Sequence, residues 1–273
     1  MYERARLLLL VGVIGCEPNV VEAVREPPPA PSSSAPSPPS SPLETSLIHR
    51  YSFDGDGSEA RDSKGAAHGL VQGTELAGTG QLPLAGERSG QYVDLPNGIV
   101  SGLGDATFEA WLNWSGGGAW QRIFDFGNSS AGEDSAGSTG TSYLFLATVS
   151  SPDTPDNLPP AMRLVYSQRG VADEDVCSAP DPFPSGVMTH VAVVIEQATQ
   201  RMALYQDGAL LVDCTLSRPL SAIDDVNNWL GHSNYQADVD LAATYDEFRI
   251  YGAALTDSEL SASFSAGPDA ARF

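Results

Sequence analysis

Carboxylates are the side chains of this sequence best able to do chemistry: Asp and Glu number 35 against 14 Lys and Arg, for a net charge of −21. Their spacing decides what that chemistry is. Glycoside hydrolysis needs two carboxylates about 5–5.5 Å apart for retention, or about 6.5–9.5 Å for inversion. Acids at alternate positions of one strand share a face and would meet that need. Glu109 has no such partner, and Asp246 and Glu247 are adjacent, so their side chains point to opposite faces. Acyl transfer would show a serine in a G-x-S-x-G elbow, but the runs Gly127–Ala131 and Gly231–Tyr235 fail at the last position. The histidines His49, His68, His190 and His232 have no zinc-type spacing with one another or with the cysteines. Asp54-Gly55-Asp56-Gly57-Ser58 begins like an EF-hand calcium loop, yet Glu59 stands where glycine is required and Gly65 where the bidentate Glu belongs. The reading is of a non-catalytic chain, not an enzyme. Its acidity argues against nucleic acid or an anionic membrane surface as partner.

The cysteines carry a different chemistry. Arg4 and Arg6 precede the apolar run Leu7 to Gly15, nine residues that are too few to span a bilayer. The run ends in Val13-Ile14-Gly15-Cys16, which resembles a bacterial lipobox, where small residues admit the signal peptidase and the thiol takes the diacylglycerol. Residues 1–15 are therefore expected to be a signal peptide and Cys16 the lipid anchor of an exported envelope protein. Glu17 is not the Asp associated with inner-membrane retention, which favours the outer membrane. Cys177 and Cys214 then remain as an even pair in a compartment that permits disulfides, and a bridge between them is expected. Spacing alone leaves two buried free thiols as the alternative.

These residues must be positioned by the rest of the chain. Pro27 to Pro42 contains only Pro, Ser and Ala, a composition that cannot bury apolar surface and biases the backbone to an extended form. Residues 16–43 thus read as a spacer, 44–267 as one domain and 268–273 as a tail. From Leu43 the texture becomes short β-type runs between Gly, Asp, Asn, Ser and Pro clusters, the pattern of an antiparallel all-β domain. Eleven strands are expected near Leu47–Phe53, Gln91–Leu95, Ala106–Trp114, Gln121–Phe126, Ser142–Thr148, Ala161–Ser167, Val187–Gln197, Arg201–Gln206, Ala209–Asp213, Asn228–Gly231 and Tyr245–Tyr251. Within Ala106–Trp114, Phe108, Ala110, Leu112 and Trp114 share one face and Thr107, Glu109 and Asn113 the other. Trp111 falls on that second face, which must then be covered or contribute to a site. Asp207-Gly208 predicts a type I′ hairpin. Thr256 and Glu259 have capping-box spacing, with Leu255 and Leu260 as a hydrophobic staple, so a short C-terminal helix should begin at Asp257.

Taken in order, several segments resemble the LamG-like jelly-roll domains of the concanavalin A-like lectin/glucanase group. They are Leu47 to Asp54 followed by Asp62-Ser63-Lys64-Gly65 and His68-Gly69, Tyr92 to Leu95, Phe108 to Leu112, Thr189 to Val194, Leu204 to Gly208, Trp229 to Gly231 and Tyr245 to Tyr251. The resemblance implies a two-sheet antiparallel jelly-roll sandwich, with long loops at one edge. It also implies one Ca²⁺ where the start of the domain meets its last strand, held here by Asp54 and Asp246 with carbonyls near His68, and a structural position for His190. The E-x-D-x-x-E strand pattern of the group's glucanases is absent.

Ligand-contacting surface is expected in the long loops Gly127 to Thr141, Ser150 to Pro160 and Gln168 to Gly186, because sandwiches bind through loops on a rigid scaffold. Trp120, beside Gly116-Gly117-Gly118, and Tyr235 could stack on sugar rings. The expected function is a binding module at the cell envelope that recognises carbohydrate or an extracellular protein. The alternatives are a structural spacer lipoprotein and, less favoured, a carbohydrate-active enzyme with two carboxylates converging in a groove.

Overall fold

Alternation of apolar and polar side chains gives most strand segments one face that has to leave water, and two sheets packed face to face satisfy them together. The computed structural model of the protein describes residues 41–154 and 158–270, with Gly12 and Gly15. Cys16 and the Pro/Ser-rich run through Ser40 lie outside the described residues.

One antiparallel sheet runs in the order Leu47–Tyr51, Asp240–Tyr251, Ala106–Trp114, Thr189–Glu196, Arg201–Gln206, Ala209–Thr215, and Leu82–Glu87 also pairs with Asp240–Tyr251. The second runs Asp175–Ser178, Arg163–Ser167, Gly140–Ala147, Arg122–Ser129, Asn227–Leu230, Tyr92–Leu95, Gly69–Gln72, Glu59–Ala60. Their inner faces meet in one core that includes Phe108, Leu112, Phe124, Phe126, Leu144, Leu146, Val193, Leu204 and Phe248. The result is a jelly-roll sandwich.

All eleven expected strand regions hold a strand, with ends shifted by a few residues. Asp207 and Gly208 both take positive φ, 49° and 75°, as a type I′ turn demands. The helix Asp257–Ala266 starts in the full capping box of Thr256 and Glu259, and Leu255 and Leu260 are both buried.

That helix settles the second face of Ala106–Trp114. Glu109 Oε2 accepts hydrogen bonds from Ser263 on the helix (2.8 Å) and from Tyr251 (2.8 Å). Glu109 Oε1 meets His190 Nε2 at 3.2 Å. Trp111 packs between the His190 ring and the Arg249 guanidinium, at 4.4 and 4.6 Å, and is buried. Arg249 is held in turn by Glu247 (2.7 Å) and by the Gly267 carbonyl (3.3 Å). Trp111 and His190 therefore belong to a buried polar layer that seats the helix.

Six described strands were not expected: Asp56–Gly57, Glu59–Ala60, Gly69–Gln72, Leu76–Ala77, Leu82–Glu87 and Asp175–Ser178. Leu82–Glu87 contains Pro83, which cannot donate to a ladder, but this strand pairs on one side only and Pro83 is exposed. Asp175–Ser178 lies within what reads as the loop Gln168 to Gly186 and forms one edge of the second sheet. Cys177 on that strand is joined to Cys214 on Ala209–Thr215, with a Cα–Cα distance of 5.7 Å. The disulfide thus ties an edge strand of one sheet to an edge strand of the other.

Candidate functional site

The strand Gly140–Ala147 is apolar on both faces, and only one face is needed for the sandwich. Leu144 and Leu146 enter the core between the sheets, whereas Tyr143, Phe145 and Ala147 form a separate apolar cluster with Val165 on the opposite face. Trp120 and Tyr235 pack against that outer cluster. Both aromatics expected from sequence to meet a ligand are thus brought to one place.

They are held there by different means. Trp120 sits at φ 67°, the left-handed region that a bulky residue occupies only at a cost. Its backbone N–H donates to Val149 O (2.8 Å), and its ring meets Phe145 edge-on at 6.4 Å. Tyr235 is carried by the loop after Gly231, anchored to a fully buried carboxylate. Asp125 accepts from the Asn234 backbone N–H (3.0 Å), the Asn234 side-chain amide (2.9 Å) and Arg122 Nε (3.3 Å). Burial pushes the Asp125 carboxyl up, against the pull of Arg122 and the Asn234 donors.

Between Trp120, Phe145 and Tyr235 opens a cavity of about 480 Å³, within the range of small-molecule sites. Its polar lining comes from Arg122, Thr154, Arg163, Glu174 and Asp238. The Arg122 guanidinium lies 3.8 Å over the Phe145 ring and donates to Asp238 (2.8 Å) and to the Trp120 carbonyl (3.0 Å). Tyr235 donates its hydroxyl to Tyr143 (3.0 Å), which donates to Glu174 (2.6 Å). Burial pushes both tyrosine hydroxyls up, so both keep their protons.

Sequence reading missed Arg122, Phe145, Arg163 and Asp238 as site residues. The usable signal was the unbroken apolar run Tyr143 to Ala147, since a strand buried on both faces needs a second cover. Glu174 falls in a loop expected to contact ligand. The other loop expectations are met in part, because Thr154 in the segment Ser150 to Pro160 also lines the cavity.

Asp54 and Asp246 lie elsewhere. They come within electrostatic reach: burial raises the Asp246 carboxyl, and the charges of Asp269 and Asp54 add to it. Asp54 accepts a hydrogen bond from Ser52 (2.7 Å). Among the described residues no group of three or more His, Cys, Asp or Glu side chains is arranged to hold a metal ion. No described helix is long and apolar enough to cross a membrane.

Comparison with solved structures places the same fold in proteins of distant sequence. Domain 4 of AbnA, a GH43 extracellular arabinanase from Geobacillus stearothermophilus in complex with arabinotriose, aligns with a TM-score of 0.54 at 19% identity, covering 79% of this chain and 97% of that domain. The CBM40 of the Ruminococcus gnavus IT-sialidase, bound to α2,3-sialyllactose, aligns at 0.52 and 16% identity, covering 67% and 95%. Trypanosoma rangeli sialidase in complex with sialic acid aligns at 0.59 and 16% identity over 81% of this chain, which spans about a third (33%) of that enzyme. No curated protein matches the sequence. The family model of the concanavalin A-like lectin/glucanases superfamily matches residues 87–261, which include most strands of both sheets and the residues that line the cavity, and the chain belongs to that superfamily.

Proposed function

We propose that this protein is a non-catalytic carbohydrate-binding module whose ligand sits in the cavity walled by Trp120 and Tyr235. The observation that carries the reading is the convergence of these two rings, from separate loops, on a cavity flanked by hydrogen-bonding side chains. Sugar rings present C–H faces for stacking and hydroxyl edges for polar contacts, and this lining offers both. Two solved modules of the same fold were captured with oligosaccharides, which supports the reading. Glu174 and Asp238 are two carboxylates in one cavity, the arrangement that would favour hydrolysis. A glycosidase, however, needs both carboxylates free to act on one bond. Here Asp238 is held by Arg122 and Ser233, and Glu174 accepts from Tyr143, so each carboxylate is engaged with a protein donor. Calcium plays no part in this binding proposal, because Asp54 and Asp246 lie outside the cavity.

A glycan array followed by calorimetric titration tests the reading. Trp120→Ala and Tyr235→Ala should each weaken binding by tenfold or more, with melting temperatures close to the parent. Unchanged affinity in both variants would exclude this cavity.

We also propose that the module is displayed on the cell envelope by lipid on Cys16, supported by the run Val13 to Cys16. The mature protein should begin at Cys16 and carry the mass of acyl chains. An intact mass without them, or a different first residue, would refute the anchor.

A further inference from the structure

Resting on the reading that the cavity takes carbohydrate, we infer that it selects a neutral sugar, whose hydroxyls donate to Glu174 and Asp238, and discriminates against sugars that carry a carboxylate. The two arginines of the lining invite the opposite conclusion, because a guanidinium is the usual partner of a sugar carboxylate. The commitments of Arg122 argue against it. Arg122 is buried, 3% exposed, and its three nitrogens already donate to Asp125, Asp238 and the Trp120 carbonyl. Arg163 is equally buried, 3% exposed, and contacts Thr154 Oγ1 at 3.5 Å among its partners. An incoming carboxylate would have to displace an internal carboxylate from Arg122, exchanging one charged contact for another and leaving a buried charge behind.

Of the remaining polar groups, those of Tyr235, Glu174 and Asp238 present acceptors. The hydroxyl proton of Tyr235 points to Tyr143 and that of Tyr143 to Glu174, so the Tyr235 oxygen faces a ligand with its lone pairs. An ionised carboxylate has about four acceptor directions. Asp238 Oδ2 receives Arg122 (2.8 Å) and Ser233 (2.8 Å), and its second oxygen remains for a ligand. A surface of this kind recognises donors. Neutral sugars supply them as hydroxyls around the ring edge, while the ring faces lie against Trp120 and Tyr235. A sugar acid adds an acceptor with a negative charge next to Asp238 and Glu174, in a chain whose net charge is already −21.

The test is titration of the full chain with neutral oligosaccharides (arabino-, xylo-, manno- and cello-series) and with acidic ones (sialyllactose and oligogalacturonate), at about 0.15 M salt. At least one neutral series should bind, and the acidic ligands should bind at least tenfold more weakly. Glu174→Gln keeps the shape and removes the charge; it should lower affinity for the neutral ligand about tenfold and narrow its margin over the acidic ones. Asp238→Asn should act likewise, but because it also unbalances Arg122, the first variant is decisive provided its melting temperature is retained. Acidic ligands that bind as tightly as neutral ones and lose affinity in Trp120→Ala would overturn the selectivity while leaving the site in place. A neutral ligand that ignores Glu174→Gln would overturn the acceptor role. Failure of every sugar to bind, or binding indifferent to Trp120→Ala, would overturn the site and this inference together.

Discussion

Asp62 shows how much one side chain organises. Its two oxygens accept from the backbone N–H groups of Arg50 (3.1 Å), Lys64 (3.0 Å), Gly65 (2.9 Å) and Ala67 (3.1 Å), and one meets His49 Nδ1 at 2.7 Å. Burial alone would raise its pKa, but the Gly65 N–H, the His49 ring and the other donors prevail and hold it at about 2. Gly65 is required by close approach: a Cβ there would lie 2.7 Å from the Asp62 carboxylate and 2.9 Å from the Ile48 carbonyl. The motif Asp62-Ser63-Lys64-Gly65 was legible in the sequence as a family signature; its reason, a carboxylate closing a loop of amides, required the fold. Asp62→Ala should destabilise the domain by about 3 kcal/mol, since several buried donors lose their acceptor together. Chemical denaturation of variant and parent checks it, and a difference below about 1 kcal/mol would show that the loop holds without its carboxylate.

Among the elements, what the sequence made legible follows the strength of local signals. Ala106–Trp114 and Arg201–Gln206 match expectation to the residue, the first through its alternation and the second through the hairpin that ends it. Leu82–Glu87 escaped because proline argues against strand, and only its one-sided pairing makes Pro83 acceptable. Asp175–Ser178 escaped because four residues with two exposed or half-exposed polar ends carry no period; it is a strand because Arg163–Ser167 offers an edge and Cys214 holds it. This short strand also bears the lip of the cavity, with Val176 on it and Glu174 just before it. The Cys177–Cys214 disulfide spans 37 residues, and closing such a loop contributes roughly 3–4 kcal/mol in the chain-entropy account. Cys177→Ser together with Cys214→Ser should therefore lower stability by that order and weaken glycan binding as well, because the lip loses its tie to the other sheet. A double variant that melts lower yet binds unchanged would separate the disulfide from the site.

For the molecule as a whole, the cavity was only half legible because it draws on segments from Trp120 to Asp238 that nothing in the linear order connects, whereas the sandwich repeats its signal in every strand. Charge is the other global property, and it sets a pH dependence with two limbs. The Asp94 carboxyl is raised from its ordinary 3.8 to about 6, by burial first and then by the charges of Asp134 and Glu133. Burial first, and neighbouring aspartates next, also push Asp246 up. A raised carboxyl favours the fold in its protonated form, so its contribution is full below about pH 4 and is lost as pH rises through 6. Asp62 works in the opposite sense: held at about 2, it contributes above pH 4 and that contribution is lost as pH falls toward 2. Stability should accordingly climb as pH drops from 7 to about 5, pass a maximum, and fall below 4. For half-exposed Asp94 the gain is about 1 kcal/mol after allowance for solvent screening, or roughly 2–4 °C in melting temperature. Asp94→Asn imitates the protonated state, so at pH 7 it should melt higher than the parent by that amount and show a shallower limb between pH 5 and 7, with the acid limb unchanged. Melting temperatures of both proteins from pH 3 to 8 decide the matter: curves that stay parallel through the upper limb would remove Asp94 as the source of the repulsion and leave the remaining carboxylates to account for it.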